Sequence, residues 1–188
     1  MYIPFLPNQI YHVYNRGNNR ENIFLEERNY YYFLELYDKY ISPIANTFTY
    51  SLLPNHFHFG IEMKSPEVLA LHKPAHRCFA NMFIAYTKSI NKAYGRRGSL
   101  FEKHLKRKLI TNDAYLQTLI VYIHRNPETH GFVKDFRRWP FSSYRTITNG
   151  NGSLVRCEAV LDWFGGLDTF RESHGQTADD GIFEISQW

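Results

Sequence analysis

The 188-residue chain is predicted to be an α+β fold, an antiparallel sheet backed by helices on one of its faces. Two observations carry this. Segments that alternate apolar and polar residues are interleaved with segments whose apolar residues recur every three or four positions, the periods of strand and helix. Two of the alternating segments are separated only by Pro54-Asn55, a link short enough to force an antiparallel hairpin.

In chain order, Gln9 to Asn15 alternates aromatic and polar residues and predicts a first strand, followed by a turn-rich basic loop, Asn15-Arg16-Gly17-Asn18-Asn19-Arg20. From Glu27 to Tyr40, the spacing of Tyr30, Phe33, Leu34 and Tyr37 predicts a helix, ended by Ser42-Pro43. Asn46 to Leu53 alternates again, and Pro54-Asn55 turns it into a strand that begins at His56. A helix is expected from Ala75 to Tyr94, where Phe79, Met82, Phe83, Tyr86 and Ile90 form one stripe and Gly95 supplies the stop. After a basic turn and an extended basic stretch, Thr111-Asn112-Asp113 caps a helix through His124, closed by Asn126-Pro127. Beyond Gly150 there is one short helical pattern, Glu158 to Phe164, and then an acidic tail. The organisation expected is a catalytic domain over residues 1–150 and a C-terminal helical and acidic tail over 151–188.

Composition narrows the function. Hydrophobic residues at 44% and charged residues at 21% describe an ordinary globular protein. No stretch approaches the roughly 20 apolar residues of a membrane span, no signal sequence opens the chain, and two cysteines exclude a disulfide framework. A cytoplasmic protein with no membrane partner is expected. Net charge is +4, but the segment Lys88 to Lys108 alone carries +7 and the remainder −3. Concentrated positive charge points to a polyanion held at one place. An aromatic fraction of 17% allows stacking on unpaired bases as well as core filling.

The most informative run is His56-Phe57-His58-Phe59-Gly60-Ile61-Glu62-Met63. On a strand, His56, His58, Gly60 and Glu62 share one face while Phe57, Phe59, Ile61 and Met63 share the other. The second face seals a core; the first offers two imidazole nitrogens to a divalent ion, with Glu62 as an oxygen ligand. Expected on the neighbouring helix is Tyr86, a phenol just ahead of the basic cluster and a candidate nucleophile on a phosphodiester; Tyr94 on the same helix is the alternative. Phosphate contacts are expected from Lys88, Lys92, Arg96, Arg97, Lys103, Lys106, Arg107 and Lys108. Asn15, Arg16, Asn18 and Arg20 of the early loop are candidates for contacting the bases.

In order along residues 9 to 147, five stretches resemble a known family: Tyr11-His12-Val13-Tyr14-Asn15-Arg16-Gly17, Leu53-Pro54-Asn55-His56-Phe57-His58, Tyr86-Thr87 with Gly95-Arg96-Arg97-Gly98-Ser99-Leu100-Phe101, Tyr122-Ile123-His124-Arg125-Asn126-Pro127 and Trp139-Pro140-Phe141-Ser142-Ser143-Tyr144. They are similar to the single-tyrosine transposases of the histidine-hydrophobe-histidine endonuclease group, above all those associated with repetitive extragenic palindromes. The resemblance implies a ferredoxin-like domain and a divalent metal, Mg2+ or Mn2+, on His56 and His58. It also implies Tyr86 as a nucleophile that forms a 5′-phosphotyrosine link on single-stranded, hairpin-bearing DNA, and a homodimer. Many relatives place a polar metal ligand four residues after the tyrosine; here that position is Ile90, which leaves Asn91 and Glu62 as the candidates for a third ligand. Two other readings stand beside this one. The first is a non-catalytic nucleic-acid-binding module of the same fold, and the second a metal hydrolase of small phosphoesters with Tyr86 in the core.

Overall fold

A computed structural model describes residues 4–175. Four strands, β1 (Ile10–Arg16), β2 (Ala45–Leu53), β3 (His56–Met63) and β4 (Lys106–Ile110), form one antiparallel sheet in the order β2-β3-β1-β4. The helices are α1 (Glu27–Tyr40), α2 (Pro66–Ala70), α3 (Ala75–Ala93), α4 (Asp113–Thr129), α5 (Tyr144–Asn149), α6 (Cys157–Phe164) and α7 (Leu167–Gly175). The α+β class and the hairpin at Pro54-Asn55, where Leu53 pairs with His56, are as the patterns predict. The stretch around Lys106 is more than extended: it is a fourth strand, paired with β1 from Tyr14–Lys106 to Ile10–Ile110.

Each face of the sheet follows from the alternation. Phe57, Phe59, Tyr11 and Val13 are buried on one face, against Phe33 and Tyr37 of α1 and Phe83 of α3. Burying each such side chain contributes about 1.5–3 kcal/mol, so this face holds the main core. The opposite face does not lie open to solvent. α4 covers it, because Leu116, Leu119, Ile120 and Ile123 need an apolar partner of their own. Gly60 marks how close that layer sits: a Cβ there would come within 2.7 Å of the Thr49 methyl and 3.9 Å of Leu119 Cδ2. The expectation of helices on one face only is therefore corrected to helices on both.

Local signals set the ends. Asn112 caps α4 by accepting from the Tyr115 N–H at 2.8 Å. α4 continues through Pro127 to Thr129 rather than closing at Asn126-Pro127, since a proline in the last turn forfeits a single backbone bond. Tyr94 and Gly95 (φ 64°) end α3 as expected. The drawn boundary at 150 is crossed by packing: Val155 bridges Thr47 on β2, and Phe164, Phe170 and His174 are buried. The rest of the acidic tail, residues 176–188, lies outside the described residues.

A directed hydrogen-bond chain ties α7 to the sheet. His174 Nδ1 donates to the Phe170 carbonyl at 2.7 Å, so its Nε2 accepts from His124 Nδ1–H at 2.8 Å. His124 Nε2 then accepts from the Ser143 and Thr49 hydroxyls at 2.7 and 3.0 Å. A neutral imidazole has one donor and one acceptor, and each is used. Burial holds both groups below the ordinary histidine value, His124 well below it and His174 at about 4. In the unfolded chain these groups protonate near 6.5, so between about 6.5 and 4 the unfolded state binds more protons and stability falls as pH falls. The melting temperature should accordingly drop on going from pH 7 to pH 4.5; a flat profile over that window in a calorimetric series would contradict the neutral chain.

Candidate metal and nucleophile site

β3 and β1 carry a histidine cluster beneath α4. His58 is fully buried and His56 is 5% exposed, with ring centroids 5.2 Å apart and nearly perpendicular. His12, from β1, meets His58 through Nε2 and Nδ1 at 2.9 Å. His130, just past α4, lies 5.0 Å from His56, ring to ring. Desolvation, opposed in part by the Asn126 hydrogen bond, lowers His56 to about 4; desolvation followed by the Lys108 charge lowers His12 to about 3, and His58 is held well below its ordinary value. All three are neutral at physiological pH, the state in which imidazole coordinates a metal.

From α4, Asn126 and Tyr122 reach the same place. Asn126 Oδ1 lies 3.1 Å from His56 Nε2, while His56 Nδ1 contacts Asn55 Oδ1 at 2.7 Å. A neutral ring has only one N–H. Whichever contact takes the ring proton, the other nitrogen faces an amide that can turn its Nδ2 to donate, so the protein can satisfy both ring nitrogens. The donor set of two imidazoles and an amide oxygen suits a divalent ion. Among the described residues no group of three His, Cys, Asp or Glu is placed to hold one, so any third protein donor here would have to be the amide of Asn126. One helical turn before Asn126, the half-buried Tyr122 sets its ring edge-on to His58 at 5.8 Å and to His12 at 6.2 Å. Tyr14 stacks on His58 from β1 at 5.7 Å.

The structure does not bring Tyr86 to this cluster. It is fully buried on the opposite side of the sheet, packed among Phe24, Phe33 and Phe101, and its hydroxyl donates to the Ile23 carbonyl at 2.7 Å. Burial, with Tyr30, Tyr94 and Tyr32 nearby, pushes its pKa far above the ordinary phenol value. Sealed this way it can reach neither its own histidines nor a second protomer's, so the expectation of Tyr86 as nucleophile is corrected. Tyr94 is also elsewhere, bonded to Glu26 and Asn29 at the start of α1.

Both expected third ligands are likewise displaced. Glu62 lies four residues beyond His58, about 13 Å along the strand, and accepts from Asn46 Nδ2 at 3.0 Å. Asn91 sits at the end of α3, where it donates to the Gly98 carbonyl and accepts from Arg96 Nη1, both at 2.9 Å, bracing the glycine turn.

The basic candidates divide in two. Lys88, Lys92, Arg97, Lys103, Lys106, Lys108, Asn18 and Arg20 are exposed, Lys106 also pairing with Glu102 at 3.5 Å. Asn15 is buried and bonded to the Glu102 carbonyl at 3.2 Å, Arg16 pairs with Glu102, and Arg96 pairs with Glu21. Those three, with the half-buried Arg107, whose guanidinium lies 4.4 Å from the Phe5 ring centroid, serve first to hold the edge of the sheet and the turn. Tyr122 and Asn126 were legible in the matched stretch Tyr122 to Pro127, which places a tyrosine and an amide four residues apart. His12 and His130 carried no comparable signal, since only the pairing of strands and the end of α4 bring them in.

No protein-family profile matches the chain, and no curated protein matches its sequence. Solved structures do match its fold. A REP-associated tyrosine transposase bound to a REP hairpin superposes with a TM-score of 0.62 at 18% sequence identity, over 82% of this chain and 88% of that one. The four-stranded antiparallel sheet with its helices is thus an architecture shared with that transposase. No helix among the described residues is long and apolar enough to cross a membrane.

Mn2+ titration followed by electron paramagnetic resonance should show one bound ion. His58→Ala should abolish that signal and Asn126→Ala weaken binding at least tenfold, while Glu62→Gln and Asn91→Ala leave it unchanged.

Proposed function

We propose that the chain is a metal-dependent single-stranded DNA endonuclease and strand transferase, transposase-like, that acts beside a DNA hairpin through a 5′-phosphotyrosine intermediate. The observation that carries the reading is the convergence of Tyr122 and Asn126, one turn apart on α4, on His56 and His58 of β3. Their spacing is that of a tyrosine and a polar ligand four residues on, the arrangement sought in vain at Tyr86 and Ile90. The likeness of fold to a hairpin-bound transposase supports the same reading.

His56, His58 and Asn126 would hold the ion, Mg2+ or Mn2+, which when bound polarises a phosphoryl oxygen. The chain's own residues supply the rest. The Tyr122 hydroxyl oxygen attacks phosphorus, forming a tyrosyl phosphodiester as the bond to the 3′-oxygen breaks. The phenolic proton is balanced by the proton gained at the released 3′-hydroxyl. One diester replaces another, so the link stays reversible and a second 3′-end can complete the transfer. His12, against His58 Nδ1, fixes that ring's orientation. Exposed Lys88, Lys92, Arg97, Lys103, Lys106 and Lys108 contact phosphates, and Asn18 and Arg20 lie at the same end of β1. The site is complete within one chain; the homodimer in this reading brings two such sites to two DNA ends.

Incubation with labelled hairpin DNA and Mn2+ should yield a denaturation-resistant adduct. Tyr122→Phe abolishes it with binding retained, and Tyr14→Phe, the competing phenol, leaves it. Tyr86→Phe should also leave it, at a stability cost of about 1 kcal/mol for the lost bond to Ile23. A shifted but never linked DNA would instead identify a binding module. Raising salt from 50 to 200 mM should weaken binding steeply, by about 10³-fold or more if six or more phosphates are contacted.

A further inference from the structure

α4 carries both Tyr122 and Asn126, so its roll about its own axis decides where they stand. Leu119, Ile120 and Ile123 are fully buried beneath it. Apolar contact is non-directional, and that stripe alone would let the helix turn. At about 100° per residue, Tyr122 and Asn126 lie on one flank of the stripe and His124 on the other, about 160° from each. His124 therefore stands behind the proposed site, and a turn that lowers one flank lifts the other. Its ring is held at both nitrogens: Nδ1 donates to His174 Nε2 at 2.8 Å, and Nε2 accepts from the Ser143 and Thr49 hydroxyls at 2.7 and 3.0 Å. Arg125 adds a second grip, donating from Nη1 to the His174 carbonyl at 3.0 Å, in the last turn of α7 where a cation is favoured. Two neighbouring residues of α4 thus close on one residue of α7.

We infer that His174 is a positioning residue, which through His124 sets the roll of α4 and with it the placement of Tyr122 and Asn126 over His56 and His58. The inference rests on the proposed function for the reaction it serves, and names what aims the phenol. His174 is 1% exposed, its ring lies 4.2 Å from that of Phe170 and 5.1 Å from that of Tyr144, and its Nδ1 is fixed on the Phe170 carbonyl. Its Nε2 is therefore presented in one direction only. Side-chain tips stand about 5–6 Å from a helix axis, so a roll of about 10° moves them by about 1 Å. A misplacement of about 1 Å can cost on the order of 10²-fold in a reaction that depends on orientation. Without the acceptor on His174, the Nδ1–H of His124 is buried and unmet, a penalty that turning the ring and its helix relieves.

The test compares His174→Leu, which removes the acceptor, His174→Gln, whose amide oxygen can replace it, and Val160→Ala, which loosens buried packing on α6 outside the hydrogen-bond chain. Three quantities are read well below the melting temperature of every variant: the rate of adduct formation on hairpin DNA, the Mn2+ dissociation constant, and the fluorine NMR resonance of a fluorinated tyrosine in place of Tyr122, in protein free of metal and DNA. His174→Leu should slow the adduct at least tenfold, weaken Mn2+ binding severalfold and shift the resonance, with hairpin affinity within twofold of the parent. His174→Gln should restore all three, and Val160→Ala should lower the melting temperature alone. An unmoved resonance in His174→Leu, no rescue by His174→Gln, or the same changes in Val160→Ala would each overturn the inference and leave α7 a matter of stability. Should His174→Leu fail to fold, Arg125→Met, which loses the bond to the His174 carbonyl, must shift the resonance in its place or the inference falls. A resonance that moves in protein forming no adduct and holding no Mn2+ sinks the proposed function alone; an adduct whose rate ignores His174 sinks the positioning alone.

Discussion

The structure turns on a constraint of burial. β1, β2 and β3 put imidazoles and hydroxyls on the sheet face beneath α4, and once a helix covers that face every polar group there needs a partner. Two clusters result. Around His124 the requirement is met entirely by the protein: Phe170, His174, Ser143 and Thr49 form a chain in which each donor meets an acceptor. Around His56 it is met by two amides, Asn55 and Asn126, each within hydrogen-bond reach of one ring nitrogen. The first cluster is a structural clasp; the second lies beside Tyr122 and is where the proposed metal site falls.

The division of labour between the two sheet faces explains which phenols can act. On the α1 and α3 side, tyrosines are long apolar bodies whose hydroxyls find a carbonyl or hydroxyl, as Tyr86 does at Ile23 and Tyr37 does at Thr47. There a phenolate would be expensive. On the α4 side, Tyr122 and Tyr14 border the histidines while retaining solvent contact. The proposed chemistry lies on the side where polar groups already gather.

Much of this was legible in the residues, for reasons of period. Alternation over His56 to Met63 assigned each side chain to its face correctly, because a strand's period is rigid. Helical spacing located α1 to the residue and α3 to within one. What the pattern could not convey was the second helical layer: α4 is amphipathic, but nothing local says which face of the sheet its stripe covers. That gap set the expected nucleophile on α3, in a stripe that the structure buries. Tyr86 belongs to a clean amphipathic stripe, and such a stripe is how a core residue looks. Glu62 failed for a simpler reason, since sharing a face does not mean sharing a site when four residues of extended chain intervene.

Gly60 joins these two clusters mechanically. It lies two residues after His58 on the same face, and the space its missing side chain leaves is filled by the methyl of Thr49, whose hydroxyl reaches His124. Any larger residue would push that methyl aside and, through it, disturb the clasp that fastens α7. The tolerance of β3 for change is thereby governed by the close approach of Thr49 to Gly60, outside the proposed site.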